Sequence, residues 1–316
     1  MARAHKPRSG SLQFWPRKRA KRIYPRVKSW AKLDRTSLLG FLGYKVGMTH
    51  VQVNEYNPSL KSTRLVIYPV TIIECPPIKV LGIKFYKNTI YGLRDITTIY
   101  SENLSKELKR KITLPKKIEN KFPEFFDDLR LIIYTQPRLT TINKKKPEIL
   151  EIALSGMKEE KFELAKNLLN KEIKANDVFK QNQNLDIHAV TKGKGFQGPL
   201  KRFGLQLKSH KSEKKRRAPG NLGSWTPKKI LFTVPQAGQM GFQTRIEYNK
   251  TLLKISNNPE EVNPKSGFNG YGLVKNDYLL IKGSIPGPSK RLIVMTYPLR
   301  DKKPLQMEVK YIKKWI

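Results

Sequence analysis

Three glycines have the spacing of a dinucleotide-binding turn: Gly193, Gly195 and Gly198. In that motif the glycines join a strand to a helix and place a pyrophosphate at the helix N-terminus. A strand is predicted at 185–190, but Pro199 and the cationic run behind it are not expected to form the buried helix. Pro199 also stands where a P-loop requires lysine. The glycines therefore favour close passage of backbone beside phosphates, with Lys192 and Lys194 as neutralising charges.

Nucleophiles and metal ligands are sparse in this chain. It has one cysteine, Cys75, and four scattered histidines. One thiol supplies neither an internal disulfide nor a cysteine-rich zinc site, so the chain is expected to be intracellular. Cys75 is predicted to pack as a small apolar group, and His50 and His188 to be structural or surface side chains of strands. Without a serine elbow or a zinc-protease motif, we predict no enzyme, metal, cofactor or small-molecule substrate.

Membrane insertion and export are not expected. The longest apolar run, residues 65–73, is interrupted by Pro69 and Thr71 and is shorter than the roughly 18 residues of a membrane helix. The first residues, MARAHKPRSG, carry charge but no apolar stretch of a secretory signal.

Charge is the dominant feature of the composition. The 316 residues hold 63 Lys and Arg against 25 Asp and Glu, a formal net charge of +38. Residues 1–35 carry twelve of these cations and one acid, Asp34, and residues 192–229 carry twelve with Glu213 alone. Neither segment has an apolar stripe at helical spacing, so both are predicted to be arms that stay extended until a polyanion neutralises them. A single short basic run favours a solvated tail or a localisation signal, whereas two long arms favour a polyanion.

Aromatic residues indicate which polyanion is bound. The first arm interleaves Phe14, Trp15, Tyr24 and Trp30 with its cations, and flat rings stack on the exposed bases of folded RNA. The second arm has no apolar face to lie along a membrane. In that arm GNLGSWTP is typical of a turn and predicts Trp225 at the tip of a doubled-back loop. The sequence leaves open whether this indole folds onto its own domain or inserts into a partner.

The residues predicted to bind RNA belong to these two arms. Those of the first arm are Arg3, Lys6, Arg8, Trp15, Arg17, Lys18, Arg19, Lys21, Arg22, Arg26, Lys28 and Trp30. Those of the second arm are Lys192, Lys194, Lys201, Arg202, Lys208, His210, Lys211, Lys214, Lys215, Arg216, Arg217, Trp225, Lys228 and Lys229. A structural hydrogen bond remains the main alternative for His210.

Outside the arms, the pattern predicts strands. Short β-branched and aromatic runs alternate with Gly, Pro and Asn. The predicted strands cover 40–56, 62–75, 78–86, 244–256, 278–287 and 290–298. We expect the two strand-rich blocks to close one barrel.

Residues 95–184 have a different character, with eighteen basic and fourteen acidic residues. Apolar residues at four-residue spacing predict a helix capped by Ser101, and a second helix is predicted at 157–169. Strands are predicted at 129–135 and 148–154. This segment is therefore predicted to be an α/β insert whose apolar stripes form core.

Six segments resemble the universal large-subunit ribosomal protein L three family in its archaeal form. They occur in family order and span nearly the whole chain, which makes them far more specific together than singly. The segments are GYKVGMTHV (43–51), PVTIIECPP (69–77), TKGKGFQGPLKRFG (191–204), RRAPGNLGSWTP (216–227), QAGQMGFQTRIEYNK (236–250) and LLIKGSIPGPSKR (279–291). The run RKRAKRIYPRVKSW (17–30) also resembles archaeal members.

The resemblance implies a fold and a role. The fold is mainly β, a translation-protein type six-stranded β-barrel with an α/β insert, an N-terminal extension and a long central finger. The role is to bind large-subunit rRNA and support early subunit assembly without catalysis, with the finger directed toward the peptidyl transferase centre. Trp225 would occupy the finger tip, and His210 lies at the position of the family's finger histidine.

These expectations combine into one organisation. We predict a basic extension at 1–36, a discontinuous barrel from 37–94, 185–191 and 241–316, an insert at 95–184 and a finger at 192–240. The predicted partners are 23S-type large-subunit rRNA and neighbouring large-subunit ribosomal proteins, in the cytoplasmic large (50S-type) subunit. Two alternatives remain, an rRNA-modifying enzyme whose arms deliver substrate and an architectural nucleic-acid-binding protein that prefers duplex DNA.

Overall fold

The computed structural model describes residues 8–57, 62–115, 122–212, 215–226, 228–302 and 306–314. The strands are β1 (Ser37–Leu38), β2 (Gly40–Asn57), β3 (Ser62–Glu74), β4 (Ile78–Thr89), β5 (Gly92–Tyr100), β6 (Asp128–Tyr134), β7 (Ile149–Ser155), β8 (Glu172–Ile173), β9 (Gln183–Val190), β10 (Phe196–Gln197), β11 (Gly238–Gln239), β12 (Thr244–Ser256), β13 (Tyr278–Lys282), β14 (Leu292–Thr296) and β15 (Met307–Ile312). The α-helices are α1 (Lys158–Leu168), α2 (Ala175–Val178) and α3 (Pro199–Phe203), and 3-10 turns occur at Lys106–Arg110, Pro137–Leu139 and Pro259–Glu261. The prediction of a mainly β fold is confirmed.

One sheet has the antiparallel order β1-β7-β6-β4-β5, with β8 paired to β4. Alternate residues of β6 are buried, and Leu129, Leu131 and Ile133 are fully inaccessible to solvent, as expected of a strand whose successive side chains point to opposite faces. Helix α1 contacts this sheet, and its Phe162 ring lies 6.1 Å from the ring of Phe85 on β4. The helix predicted at 157–169 is therefore present and contributes to the core.

The pairing of β4 differs from the prediction for this part of the chain. The run at 78–86, expected in the barrel, pairs with β5 and β6 instead of β3. Pro76 and Pro77 separate β3 from β4, and proline lacks the N–H that continues a ladder. The predicted division at residue 94 thus falls inside β5, within the sheet that also contains the strands predicted for the insert.

A second sheet has the order β14-β9-β12-β13-β3-β2-β15. Strand β14 pairs with β9 and also with β2, and Val294 stands opposite both His188 and Leu42. The pairing path of six of these strands therefore returns to its first strand. All five residues of β14 are buried, so this strand is covered on both faces.

The buried carboxylate of Glu74 fixes the approach to β13. It accepts hydrogen bonds from the Lys275 amide at 2.9 Å, from Asn276 Nδ2 at 2.8 Å and from the hydroxyl of Tyr271. Burial and the neighbouring carboxylate raise the pKa of Tyr271 far above its ordinary value. A fully buried carboxylate is tolerated because donors satisfy its oxygens.

The helix predicted after Ser101 is shorter than expected. Only the 3-10 turn at Lys106–Arg110 forms, and its N-cap is Ser105, whose hydroxyl accepts from the Glu107 amide at 3.4 Å. Leu108 is fully buried in a small separate cluster with Leu81 and Tyr134. One anchoring residue in a satellite cluster requires a single turn, so the four-residue spacing overestimated the helix.

Contacts divide the chain into two compact units. The first, here called the basic unit, contains the described residues of 1–22 and 190–244, and the second, the sheet unit, contains those of 23–189 and 245–316. Residues 23–36 of the predicted extension therefore belong to the sheet unit. Val27 is buried there, and the Trp30 ring packs against the core.

Candidate nucleic-acid interface

The basic unit carries almost no negative charge. Its segments hold eight Lys and Arg in 1–22 and twelve in 190–244, against one acidic residue, Glu213. Glu213 lies outside the described residues, so every charged side chain that the structure shows in this unit is basic. A surface with one sign of charge creates a field that attracts a polyanion over several ångströms and more strongly at low salt.

Two of the predicted RNA-binding arginines hold the basic unit together. Arg17 Nη1 donates to the Arg202 carbonyl at 2.9 Å. Arg202 donates through Nε to the Gln239 carbonyl at 3.0 Å and through Nη1 to the Gln236 carbonyl at 2.9 Å. Burial lowers the pKa of both guanidinium groups. The positive charge of Arg8 lowers the pKa of Arg17 further, and that of Arg17 lowers the pKa of Arg202 further. Both side chains stay charged because the ordinary pKa of arginine is above 12. Their N–H groups donate to backbone carbonyls.

Trp15 is also occupied within the unit. Its ring stacks against Phe203 at 6.0 Å between centroids and meets Phe232 edge-on at 5.6 Å. The Arg17 guanidinium lies 4.2 Å from the centroid of Phe203. Such aromatic and cation–π contacts each contribute roughly 0.5–1.5 kcal/mol. The two arms predicted to stay extended are thus joined by a small aromatic cluster, which composition and periodicity alone did not indicate.

Trp30 has a comparable role in the sheet unit. Its ring passes over Gly40, where an added Cβ would lie 3.3 Å from the ring and 2.8 Å from the Met295 carbonyl. The half-buried indole is therefore part of the core packing. Its neighbours Arg26 and Lys28 are exposed.

The glycine motif forms the base of the predicted finger. Strand β10 lies between Gly195 and Gly198 and pairs with β11, and the Met240 amide donates to the Gly195 carbonyl at 2.9 Å. Gly241, on the opposite side, has φ +67°, and a Cβ there would lie 2.1 Å from the Lys192 carbonyl, so only glycine permits this close approach. A helix does follow Gly198, but α3 has only five residues, of which Phe203 alone is buried, and it ends at Gly204 in the left-handed conformation. This geometry does not supply the strand, turn and long helix of a dinucleotide site.

The loop tip presents an exposed indole. Trp225 is 82% exposed, and Lys228 Nζ lies 5.9 Å from its ring. The Gly223 amide donates to Asn221 Oδ1 at 3.0 Å, and Ser224 Oγ donates to the Thr226 carbonyl at 2.7 Å. Of the two alternatives for Trp225, the structure does not show the indole folded onto its own unit.

The residues predicted to bind RNA differ in exposure. Exposed at the surface are Arg8, Lys18, Arg19, Lys21, Arg22, Arg26, Lys28, Lys192, Lys194, Lys201, His210, Lys211, Lys215, Arg216, Arg217, Trp225, Lys228 and Lys229. Half-buried are Trp15, Arg17, Trp30, Arg202 and Lys208. Arg3, Lys6 and Lys214 lie outside the described residues.

Sequence reasoning missed several residues that shape this surface. Phe203 and Phe232 complete the Trp15 cluster, and the Arg19 guanidinium lies 5.4 Å from the Phe242 ring. Phe196 is 77% exposed beside Lys194. The signal available in the sequence was the presence of phenylalanines between the cations of the second arm, as in the first.

Groups able to do other chemistry are buried and partnered. Burial raises the pKa of the Cys75 thiol, and neighbouring carboxylates raise it further, so the thiol stays protonated. The buried ring of His188 pairs with Thr296 Oγ1 at 3.1 Å. Within the described ranges, no three His, Cys, Asp or Glu side chains are grouped to hold a metal ion. Among the same residues, no helix is both long and apolar enough to cross a membrane.

Comparison with known proteins identifies the family of this chain. The model of the family described as ribosomal protein L3 matches residues 1–126 and 114–316. The chain belongs to the ribosomal protein L3 family. It is 44% identical over 328 residues to the large ribosomal subunit protein uL3 of Methanobrevibacter smithii, covering 99% of this chain and 98% of that protein.

Other archaeal members of the family are equally similar. The uL3 protein of Methanosphaera stadtmanae is 46% identical over 99% of this chain and 98% of its own length. That of Archaeoglobus fulgidus is 46% identical over 95% of this chain and 93% of its own length. The predicted family and its archaeal type are confirmed. Ribosomal protein L3 is a family of structural proteins, so the prediction that the chain is not an enzyme is confirmed as well.

Proposed function

We propose that the protein is a structural constituent of the cytoplasmic large ribosomal subunit and that its basic unit binds large-subunit rRNA. It supports early subunit assembly and extends residues 192–240 as a finger toward the peptidyl transferase centre. Neighbouring large-subunit proteins complete its set of partners. Family membership and the names of the archaeal relatives support the ribosomal assignment.

The charge of the basic unit carries the rRNA assignment. Its cations lie in two chain segments that hydrogen bonds join into one body, and most of them are exposed. Neutralising phosphates with such cations releases condensed counterions, which supplies most of the free energy of association with a nucleic acid. A preformed basic body also loses less conformational entropy on binding than two free tails would.

The exposed indole supports the role of the finger. An exposed tryptophan at a polar loop tip is unfavourable in water and favourable against a stacked base, where such contacts contribute about 1–3 kcal/mol. The pairing of β10 with β11 brings the two ends of residues 192–240 together, which supports a doubled-back segment with Trp225 near its middle. We propose that the tip docks on rRNA and that His210, exposed on the same loop, contacts phosphate or backbone there.

The pairing path of the second sheet supports the six-stranded barrel. Strands β2, β3, β13, β12, β9 and β14 follow one another, and β14 pairs again with β2. Such closure removes free sheet edges. We propose that these strands form the translation-protein type barrel and that the other sheet contains the α/β insert. We also propose that residues 1–22 of the extension and residues 192–240 of the finger enter RNA, since residues 23–36 belong to the sheet unit.

Sedimentation of the tagged full chain tests the assignment. We expect it to co-sediment with large subunits in gradients from its host and to dissociate with rising salt. If about ten phosphates are neutralised, log K for rRNA falls against log salt with a slope of about −7 to −9. A chain that stays at the top of the gradient, or an affinity independent of salt, would contradict the proposal.

The alternatives predict other outcomes of the same preparation. An rRNA-modifying enzyme would leave a specific nucleotide unmodified in subunits made without it, detectable by mass spectrometry of the rRNA. An architectural DNA-binding protein would prefer duplex DNA to folded rRNA in direct competition. We expect unchanged modification and preference for rRNA.

A further inference from the structure

A surface cavity of about 630 Å³ lies in the basic unit. Pro199, at the start of α3, lines it together with Leu222 and Ile230 from the loop. Arg216, Arg217 and Gln236 line it as well. The volume lies in the range of about 300–1,000 Å³ that is typical of sites for small ligands.

The walls of this cavity are apolar and accessible. Leu222 is 39% exposed and Ile230 is 47% exposed, and Pro199 adds a rigid, apolar ring. Apolar side chains grouped around a concave site and open to water favour an occupant with an apolar face. A planar ring fits this requirement, since it buries much area for little loss of conformational freedom.

The charged groups of the cavity indicate that the occupant also carries a negative charge. Arg216 and Arg217 are exposed, as is Lys215 beside them, and no acidic side chain is described anywhere in this unit. Arginine forms paired hydrogen bonds with phosphate oxygens. The occupant is therefore anionic at one end and flat and apolar at the other.

Gln236 adds a group that can read an edge of the occupant. Its backbone carbonyl accepts a hydrogen bond from Arg202 Nη1 at 2.9 Å, which holds the backbone in place. The residue is exposed and lines the cavity. A primary amide both donates and accepts, as the edges of nucleobases do.

We propose that this cavity binds a single unstacked nucleotide of the rRNA, with the base against Pro199, Leu222 and Ile230 and the phosphate at Arg216 and Arg217. The inference rests on the proposed function and deepens it by naming one base-specific contact within a mainly electrostatic interface. Unstacked bases in loops and bulges are the usual targets of base recognition in RNA. An acidic peptide matches the cations but has no flat ring to cover the apolar wall.

Chemical probing of the full-length protein with transcribed large-subunit rRNA of Methanobrevibacter smithii tests this. The wild-type protein should protect the base edge of one nucleotide from dimethyl sulfate while its 2′-hydroxyl stays reactive to acylation. Ile230→Trp, which fills the cavity, should abolish this signature and weaken binding about tenfold. The slope of log K against log salt should become shallower by no more than about 1, because at most the one phosphate contact at Arg216 and Arg217 is lost.

A matched control and a second variant keep the test decisive. Leu231→Trp places the same side chain on the adjacent residue, which is 61% exposed and does not line the cavity, and it should retain the signature. Leu222→Trp fills the cavity from the other wall and should behave as Ile230→Trp does. Loss of the signature in both filled variants, with retention in the control, supports the site.

The contrary results are distinct from failure of the proposed function. An unchanged signature in both filled variants overturns the nucleotide site while leaving salt-dependent rRNA binding intact. Binding of a polyglutamate peptide that both filled variants lose, with the rRNA signature retained, would assign the cavity to an acidic peptide and also overturn it. Salt-independent binding by the wild-type protein would instead contradict the proposed function.

Discussion

Arg17 and Arg202 each donate a hydrogen bond to the backbone carbonyl of the other, at 2.9 Å and 3.4 Å. They are 185 positions apart in sequence, and together they join the first arm to helix α3 at the start of the second arm. The two like charges are tolerated close together for two reasons. Backbone carbonyl oxygens accept hydrogen bonds from both guanidinium groups, and the Phe203 ring interacts with the positive charge of both. Two of the predicted RNA-binding cations therefore stabilise the shape that presents the others.

Replacing Arg202 by lysine should loosen the basic unit while keeping its charge. Lysine has no planar fork and does not reproduce donation to the carbonyls of Gln236, Gln239 and Arg17. Hydrogen bonds from charged groups contribute about 1.5–3 kcal/mol each, so we expect at least tenfold faster hydrogen exchange at the Met240 amide. Lys201→Ala, at the exposed neighbour, should leave that exchange unchanged and reduce the salt slope of rRNA binding by about 1. Equal protection in R202K would refute the structural role.

Trp225→Ala should affect translation more than folding or assembly. The indole is 82% exposed, so the free energy of unfolding should change by less than about 0.5 kcal/mol. One stacked ring contributes about 1–3 kcal/mol within a large interface, so we expect normal incorporation into large subunits and slower elongation or tRNA accommodation. Thermal unfolding, gradient profiles and translation rates measure the three effects. Wild-type translation rates would show that the tip has no functional contact.

Trp30→Ala is the matched control for that variant. Its half-buried indole packs against the core of the sheet unit, so its loss should destabilise the unit by about 2 kcal/mol, below the ~3–5 kcal/mol of a fully buried ring. The two tryptophans were both predicted to bind RNA. Opposite results for the two variants would separate a binding ring from a packing ring.

Local patterns predicted most of the sheet unit. Strands β2, β3 and β12 begin and end within a residue or two of their predicted limits, because β-branched runs bounded by glycine, proline and asparagine leave few other conformations. The helix at 157–169 was predicted equally well, since its apolar residues recur at helical spacing. The partner of β4 was not predicted, because pairing between strands depends on the whole sheet.

The candidate interface was predicted in composition but not in form. The exposed cations and the exposure of Trp225 followed from charge and turn residues. Trp15 differs, because its partners Phe203 and Phe232 are about two hundred residues away in sequence and no local period reports such contacts. The cavity walls Leu222 and Ile230 were missed for the same reason.

Acid should weaken the sheet unit through His188. Burial lowers the pKa of this histidine in the folded protein below its ordinary 6.5. At a pH between the folded and the unfolded pKa, the unfolded chain therefore binds a proton that the folded chain does not. Its contribution is present above pH 6.5 and is lost as pH falls toward the folded pKa, with a slope of at most about 1.4 kcal/mol per pH unit. Denaturant unfolding between pH 7.5 and 5 should show this slope reduced in His188→Asn and retained in His50→Asn, the exposed control. An equal slope in His188→Asn would assign the acid sensitivity to other groups.

Deleting residues 205–229 should leave the sheet unit folded but weaken rRNA binding and slow the maturation of large subunits. The core of that unit comes from 23–189 and 245–316, so its hydrogen exchange and unfolding midpoint should match those of the full chain. The deletion removes eight Lys and Arg, and each lost phosphate contact makes the salt slope of rRNA binding shallower by about 0.7–0.9. Large subunits should therefore mature slowly in gradient profiles. A Gly-Ser linker of equal length in the same place should give the same defect, since it restores loop length without charge. If the deletion unfolds the sheet unit, residues 205–229 are part of what holds that unit together. If the neutral linker restores maturation, these residues do not act through their cations.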